Sequence, residues 1–231
     1  MKTYDELLAL ITRRGVHTVF GDYGEGWFIE QNADELARFL VAMQELGVES
    51  VLEIGTGWRA GLARFLHDDM GWRVTTVDVH DYGHAFDGIT FTTVARFDEQ
   101  GRQFDLVIID ADHAYESVKR DDEMWRDHAT KVVAFHDIAG LRDCEGVAQY
   151  WHENAYKDGE LTPYFHEIIA DGEQRGGIGY FSIPEFEDYV ANMDVPQVEP
   201  LPEGTPTVIA PPPRKPRAKS TTTRKPRAAK K

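Results

Sequence analysis

The chain has 231 residues, 42% of them hydrophobic, and 40 acidic against 25 basic side chains give a net charge of −15. That suits one domain with a core of its own, and no apolar run approaches the roughly 20 residues a membrane span needs. The single cysteine, Cys144, excludes an internal disulfide and fits a reducing compartment.

Residues 3–14 read as a helix, with Leu7, Leu8, Leu10 and Ile11 clustered. Met1–Leu10 carries Asp5 and Glu6 and lacks the layout of a secretory signal, so a cytoplasmic protein is expected. A Gly-rich stretch, Gly21 to Trp27, follows; residues 1–30 thus make an N-terminal helix and a lid-like segment. Asn32-Ala-Asp-Glu35 has the form of a capping box. Leu36, Phe39, Leu40, Met43 and Leu46 continue at helical spacing until Gly47 ends the helix. Ser50–Ile54 is a short strand of buried type, Trp58, Leu62, Phe65 and Leu66 mark the next helix, and Arg73–Val77 is a second strand. Ile89–Val94 is the third strand and Phe104–Ile109, almost wholly apolar, the fourth. Tyr115, Val118 and Trp125 place a helix before a fifth strand, Lys131–Phe135. Val147, Tyr150, Trp151 and Ala155 mark another helix. Phe165–Ile169 and Gly177–Ile183, joined by the turn-like Asp171–Gly176, read as a hairpin.

From Val190 the sequence turns Pro-rich and loses periodicity, so the domain ends near residue 188. Residues 189–231 read as a disordered tail, first Pro-rich and then basic. Residues 211–231 hold nine Lys or Arg and no acid, which leaves 16 basic against 40 acidic residues, a net −24, in the rest. So acidic a body argues against broad contact with a nucleic-acid backbone. Only the tail, with Arg-Lys-Pro-Arg at 214–217 and 224–227, has the charge to meet a polyanion; the plainer reading is a solvated tail.

Short apolar strands alternating with amphipathic helices predict an α/β fold: a doubly wound, mostly parallel sheet with a C-terminal antiparallel hairpin. Ligands in such sheets sit beyond the carboxyl ends of the strands. The first strand runs into Glu53-Ile-Gly55-Thr-Gly57-Trp-Arg-Ala-Gly61. Glycines at a strand-to-helix turn let a ligand approach the backbone, and the helix N-terminus presents free N–H groups. Asp78, 21 residues beyond Gly57, ends the second strand. That spacing suits a carboxylate accepting hydrogen bonds from ribose hydroxyls. Gly55-x-Gly57-x-x-Ala60 also satisfies a dinucleotide fingerprint. Glu53 points elsewhere: an acid there faces a pyrophosphate unfavourably and suits the cationic amino-acid end of S-adenosylmethionine. The competing structural reading keeps the glycines as a tight turn and Asp78 as a helix cap.

Val51-Leu-Glu-Ile-Gly-Thr-Gly57, with Asp78 and the terminal hairpin, resembles class I (Rossmann-like) S-adenosylmethionine-dependent methyltransferases over roughly residues 30–183. On that resemblance residues 31–188 are the methyltransferase domain. It implies that Glu53, Gly55, Thr56, Gly57, Asp78, Val79 and Asp110 bind the cofactor. Trp58 and Arg59 depart from the family, which has small residues there.

The fourth strand runs into Asp110-Ala-Asp112-His113-Ala-Tyr115-Glu116 and the fifth into His136-Asp137. Neighbouring ends let Asp110, Asp137 and His136 converge on one divalent cation. Carboxylates with open water positions suit Mg²⁺, and a mixed His and Asp set also accepts Mn²⁺. The pattern resembles metal-dependent O-methyltransferases of the sugar- and macrolide-modifying and cephalosporin-biosynthesis group, which share Asp-x-Asp-His-x-Tyr-Glu and a later His-Asp. The resemblance implies Asp110, His136 and Asp137 as metal ligands, and Asp110 and His113 as catalytic residues. His113 stands where catechol and caffeoyl-CoA members have a lysine base, and an imidazole accepts a proton near neutrality. Each residue has a structural alternative: Asp112 as a helix cap, Asp110 as an anchor for amides, His136 as a packed histidine.

Cys144 lies in Arg-Asp-Cys-Glu, where neighbouring acids raise its pKa and make it a poor nucleophile. There is no Asn-Pro-Pro-Tyr segment, zinc-type Cys/His spacing, Gly-Lys-Ser/Thr phosphate loop or Gly-x-Ser-x-Gly. The expected function is O-methylation of a hydroxyl on a small molecule or glycan. Its competitors are methylation of nucleic acid or protein, NAD-dependent oxidoreduction, and a non-catalytic interaction protein on the same fold. The acceptor is expected to enter past Gly21–Trp27 and the chain after Asp137. No membrane partner is expected, nucleic acid only through the tail, and a homo-oligomer stays open.

Overall fold

Helix α1 (Tyr4–Arg14) starts at a capping box in which Thr3 and Glu6 satisfy each other's backbone N–H groups. Its buried Leu7 and Ile11 pack on helix α2 (Ala33–Glu45). Asn32 caps α2 by accepting from the N–H groups of Asp34 and Glu35. The expected box at Asn32 is only half made, because the Glu35 carboxylate turns into the core. It accepts from the N–H groups of Ala170 at 2.9 Å and Gly177 at 3.0 Å.

The computed structural model describes residues 1–15, 29–97, 102–140, 143–171 and 176–184. The Gly21–Trp27 stretch and the 189–231 tail lie outside them. Of the two units into which the chain divides, Met1–Met193 and Asp194–Lys231, the first contains every element below.

Seven strands form one sheet: β1 (Ser50–Ile54), β2 (Arg73–Asp78), β3 (Ile89–Thr93), β4 (Phe104–Ile109), β5 (Ala129–His136), β8 (Phe165–Ile168) and β9 (Ile178–Ser182). Their order is β3-β2-β1-β4-β5-β9-β8. All neighbours are parallel except β9, which runs antiparallel to both β5 and β8. The fold is thus the Rossmann-like, mostly parallel sheet that the alternation of elements predicts. Two-residue strands β6 (Tyr156–Lys157) and β7 (Glu160–Leu161) add a small hairpin too short to leave a periodic signal.

Alternation along each strand sends side chains to two cores. Val51, Val74, Leu106, Ile108, Val132 and Ala134 face α1, α2 and helix α3 (Gly61–Asp68). Leu52, Val77, Val107, Ile109, Val133 and Phe135 face helices α4 (Tyr115–Trp125) and α5 (Glu145–Ala155). α3 begins later than the spacing of Trp58 suggests, because Ala60 adopts a left-handed φ of +52° and breaks the turn before Gly61. Trp58 is left 54% exposed, with the Arg59 guanidinium 3.9 Å from its ring centre.

Register levels the strand ends. Ile54 pairs with Val77 on one side and Ile109 on the other, and Ile109 pairs with Phe135. The next residues, Gly55, Asp78, Asp110 and His136, therefore stand in a row along one edge. Chain order reverses at β1, where such sheets open a crevice.

Candidate active site

A cleft of about 720 Å³ opens above that row and is lined by Glu53, Gly57, Asp78, Asp110, His113, His136 and Asp137 among others. Thr56 and Val79 also line it; Thr56 is buried, its hydroxyl 2.6 Å from that of Thr76, and Val79 is 75% exposed. The structure thus brings all ten expected site residues to one cavity, with Cys144 in the same wall.

The glycine turn is built by close approach. A Cβ on Gly55, at φ +101°, would lie 1.9 Å from the carbonyl oxygen of Asp110, so only glycine fits between the ends of β1 and β4. Gly57, at φ +62°, faces open space among the described residues, as a backbone cradle for a ligand requires. The Asp78 carboxylate accepts from the N–H groups of Gly57 (3.1 Å) and His80 (2.9 Å). It fixes the turn rather than capping α3, whose N-cap is Ala60 with no side-chain bond. His84 adds a second tie, its Nε2 lying 3.0 Å from the Gly57 carbonyl oxygen.

Glu53 is buried, and among the described residues its Oε2 has no hydrogen-bond partner. Burial pushes its pKa up to about 8, with Asp110 and Asp78 adding to the rise and Thr76 opposing it. The chain thus keeps an acid at the floor of the cleft where a cationic group would be a strong counter-charge.

At the other end, Asp110 Oδ2 accepts from the Gln31 side-chain amide at 2.7 Å, a partner that sequence spacing did not reveal. Asp110 Oδ1 and Asp137 Oδ2 each lie 3.3 Å from His136 Nδ1. Neither contact has hydrogen-bond alignment, and among the described residues both ring nitrogens of His136, themselves buried, lack a hydrogen-bond partner. Burial opposes charge on His136, yet the two carboxylates hold its pKa well above the usual value. One donor atom from each of Asp110, His136 and Asp137 lies within 4.8 Å of the other two, a spacing open to a cation.

His113 Nε2 is 3.2 Å from Asp137 Oδ2, and that contact raises the His113 pKa. Its Nδ1 faces Cys144 Sγ at 3.3 Å. His113 and His136 together draw the Asp137 pKa far down against the effect of burial. Asp137 adopts φ +64°, a conformation that costs a non-glycine residue energy and clusters at functional sites. Asp112, expected as a helix cap, instead accepts from the Ser117 hydroxyl at 2.5 Å, while Ala114 is the N-cap of α4. Burial first, then Asp137, pushes the Cys144 thiol up to about 12, which agrees with its expected inertness as a nucleophile.

No helix among the described residues is long and apolar enough to cross a membrane. Comparison with curated proteins gave no match. Among solved structures the chain is similar to the O-methyltransferase from Bacillus cereus in complex with SAH. Identity is 15% over 78% of this chain and 90% of that one, with a TM-score of 0.45. It is similar also to an O-methyltransferase from Streptomyces achromogenes involved in tomaymycin synthesis, in complex with SAM. There identity is 18% over 61% of this chain and 75% of that one, with a TM-score of 0.41. Residues 36–138 match the family model described as a methyltransferase domain. That segment supplies the glycine turn, Asp78, Asp110, His113, His136 and Asp137, so most of the expected site residues lie in the part of the chain that is similar to a methyltransferase domain.

Proposed function

We propose that the cleft binds S-adenosylmethionine and that the protein transfers its methyl group to a hydroxyl of a small molecule or sugar. One observation supports this above the rest. A single cavity runs from Glu53, Gly57 and Asp78 to Asp110, His113 and Asp137, so a nucleoside-bearing methyl donor and a hydroxyl acceptor meet in one space. Glu53 offers its unpartnered oxygen to the ammonium of the methionine end. Asp78 keeps acceptor capacity for the ribose hydroxyls beside its bonds to Gly57 and His80. The exposed Val79 and Tyr82 give the base an apolar wall.

Transfer requires the acceptor oxygen in line with the sulfonium methyl, so positioning carries much of the catalysis. The acceptor's proton goes to His113, which takes it when a ring nitrogen parts from Asp137 or Cys144. Asp110, held by Gln31, fixes the boundary between donor and acceptor.

The residues at the acceptor end fit a divalent cation. His136 stands between two carboxylate oxygens without a hydrogen bond to either, and Asp110, His136 and Asp137 present oxygen and nitrogen donors at a common spacing. These three would hold Mg²⁺ or Mn²⁺. Such an ion would lower the pKa of an acceptor hydroxyl.

The test is incubation of the full chain with methyl-labelled S-adenosylmethionine and a panel of polyhydroxylated small molecules and sugars, with and without EDTA. Label on an acceptor oxygen supports the reading. Label on nitrogen, on sulfur or on a macromolecule alone contradicts it.

A further inference from the structure

We propose that His113, Asp137 and Cys144 form a second cation site, selective for thiophilic divalent ions of the zinc class, and that an ion held there inhibits the enzyme. The inhibition rests on the reading in which His113 takes the acceptor's proton; the binding does not.

One donor atom from each of the three side chains lies within 4.8 Å of the other two. Cys144 Sγ is 3.3 Å from His113 Nδ1, and His113 Nε2 is 3.2 Å from Asp137 Oδ2. Sulfur, imidazole nitrogen and carboxylate oxygen together are a zinc-type donor set, with a fourth position left to water. A soft thiolate ligand favours zinc-class ions over magnesium or manganese, so Cys144 sets this cluster apart from Asp110, His136 and Asp137. Asp137 belongs to both.

The fold brings the thiol to the imidazole deliberately close. Cys144 is the N-cap of α5, and Gly146 in its first turn lies against the chain that carries His113. A Cβ on Gly146 would fall 2.4 Å from the His113 carbonyl oxygen and 2.4 Å from the Tyr115 nitrogen. All three ligands line the cleft, so an ion reaches them from solvent although Cys144 is only 7% exposed.

Binding forms a metal–sulfur bond and releases the thiol proton to solvent, since a coordinated thiol is deprotonated. No oxidant or reductant is needed. An imidazole whose nitrogen is on the ion cannot accept a proton, which is the cause of inhibition. Without an ion, Cys144 Sγ faces His113 Nδ1 at 3.3 Å and His113 Nε2 lies 3.2 Å from Asp137 Oδ2.

Cobalt(II) titration of the full chain separates the two states. The chain has one cysteine, so any thiolate-to-cobalt charge-transfer absorption reports on Cys144 alone. The site requires that band in the wild type, its loss in Cys144→Ser and Cys144→Ala, and its retention in Asp110→Asn. Absence of the band at saturating cobalt overturns the site. Loss in Asp110→Asn merges the two clusters and overturns a second one. In methyl transfer, zinc inhibits the wild type at least tenfold more strongly than Cys144→Ala; equal inhibition of both overturns the regulatory half. Circular dichroism of the variants excludes unfolding as the cause. A chain without methyl-transfer activity leaves the spectroscopic result intact, so failure of the site and of the activity are told apart.

Discussion

The Asp78 carboxylate accepts a hydrogen bond from the N–H of Gly57 at 3.1 Å, across 21 residues of sequence and two neighbouring strand ends. One side chain thus shapes the glycine turn and, in the proposed function, meets the ribose hydroxyls of the cofactor. Asp78→Ala removes both roles. A charged hydrogen bond is worth about 1.5–3 kcal/mol, so affinity for S-adenosylmethionine falls by about 10- to 100-fold. Calorimetry measures this; unchanged affinity removes Asp78 from the cofactor site.

With the ammonium of the cofactor placed at Glu53 as proposed, cofactor binding is expected to depend on pH. The Glu53 folded-state pKa of about 8 lies above its ordinary value of 4.5. The stability linked to its proton is therefore complete below about pH 4.5 and is lost as pH rises through about 8. Ammonium binding favours the ionised form, so the wild type releases a proton on binding at pH 7 and its affinity rises toward pH 8. Titration in buffers of different ionisation enthalpy measures the proton. Glu53→Gln abolishes the release; if it persists, the ammonium does not sit at Glu53.

Glu35 holds the start of α2 to both ends of the β8–β9 connection through Ala170 and Gly177. The adjacent Gly176 lies on the Asp110, His136 and Asp137 cluster: a Cβ there would fall 2.6 Å from Asp137 Oδ1 and 3.1 Å from His136 Nε2. Gly176→Ala therefore displaces Asp137 and weakens Mn²⁺ binding, while cofactor affinity stays within about twofold. Glu35→Gln replaces one buried acceptor by a donor and destabilises the fold by about 1–3 kcal/mol. Manganese titration and denaturant unfolding check the pair. Mn²⁺ affinity unchanged in Gly176→Ala would remove Asp137 from the metal site.

His113 has its pKa raised by Asp137. Its protonated form persists above pH 6.5, so the acidic limb of kcat/KM lies on the alkaline side of 6.5. His113→Ala lowers kcat by about 10²- to 10⁴-fold, the usual worth of a positioned base, and removes that limb. A profile identical to wild type excludes His113 as the base.

Much of this was legible in the sequence because local periodicity decides it. β4 has the predicted limits, and Glu53, Gly55, Asp78, Asp110 and His136 follow from strand ends that register then levels. What escaped depends on partners far along the chain. Glu35 fits a capping box by spacing, but its partners lie 135 and 142 residues away. Gln31 meets Asp110 across 79 residues and Cys144 meets His113 across 31. Trp58 keeps helical spacing with Leu62 and Phe65, yet the left-handed Ala60 ends that phase.

Whether this cleft binds S-adenosylmethionine is decided by calorimetric titration. The full chain is titrated with S-adenosylmethionine, S-adenosylhomocysteine and NAD⁺, each with Mg²⁺ and with EDTA. Micromolar binding of both sulfur ligands and none of NAD⁺ is the expected result. Binding of NAD⁺ alone, or of none of the three under either condition, would contradict it.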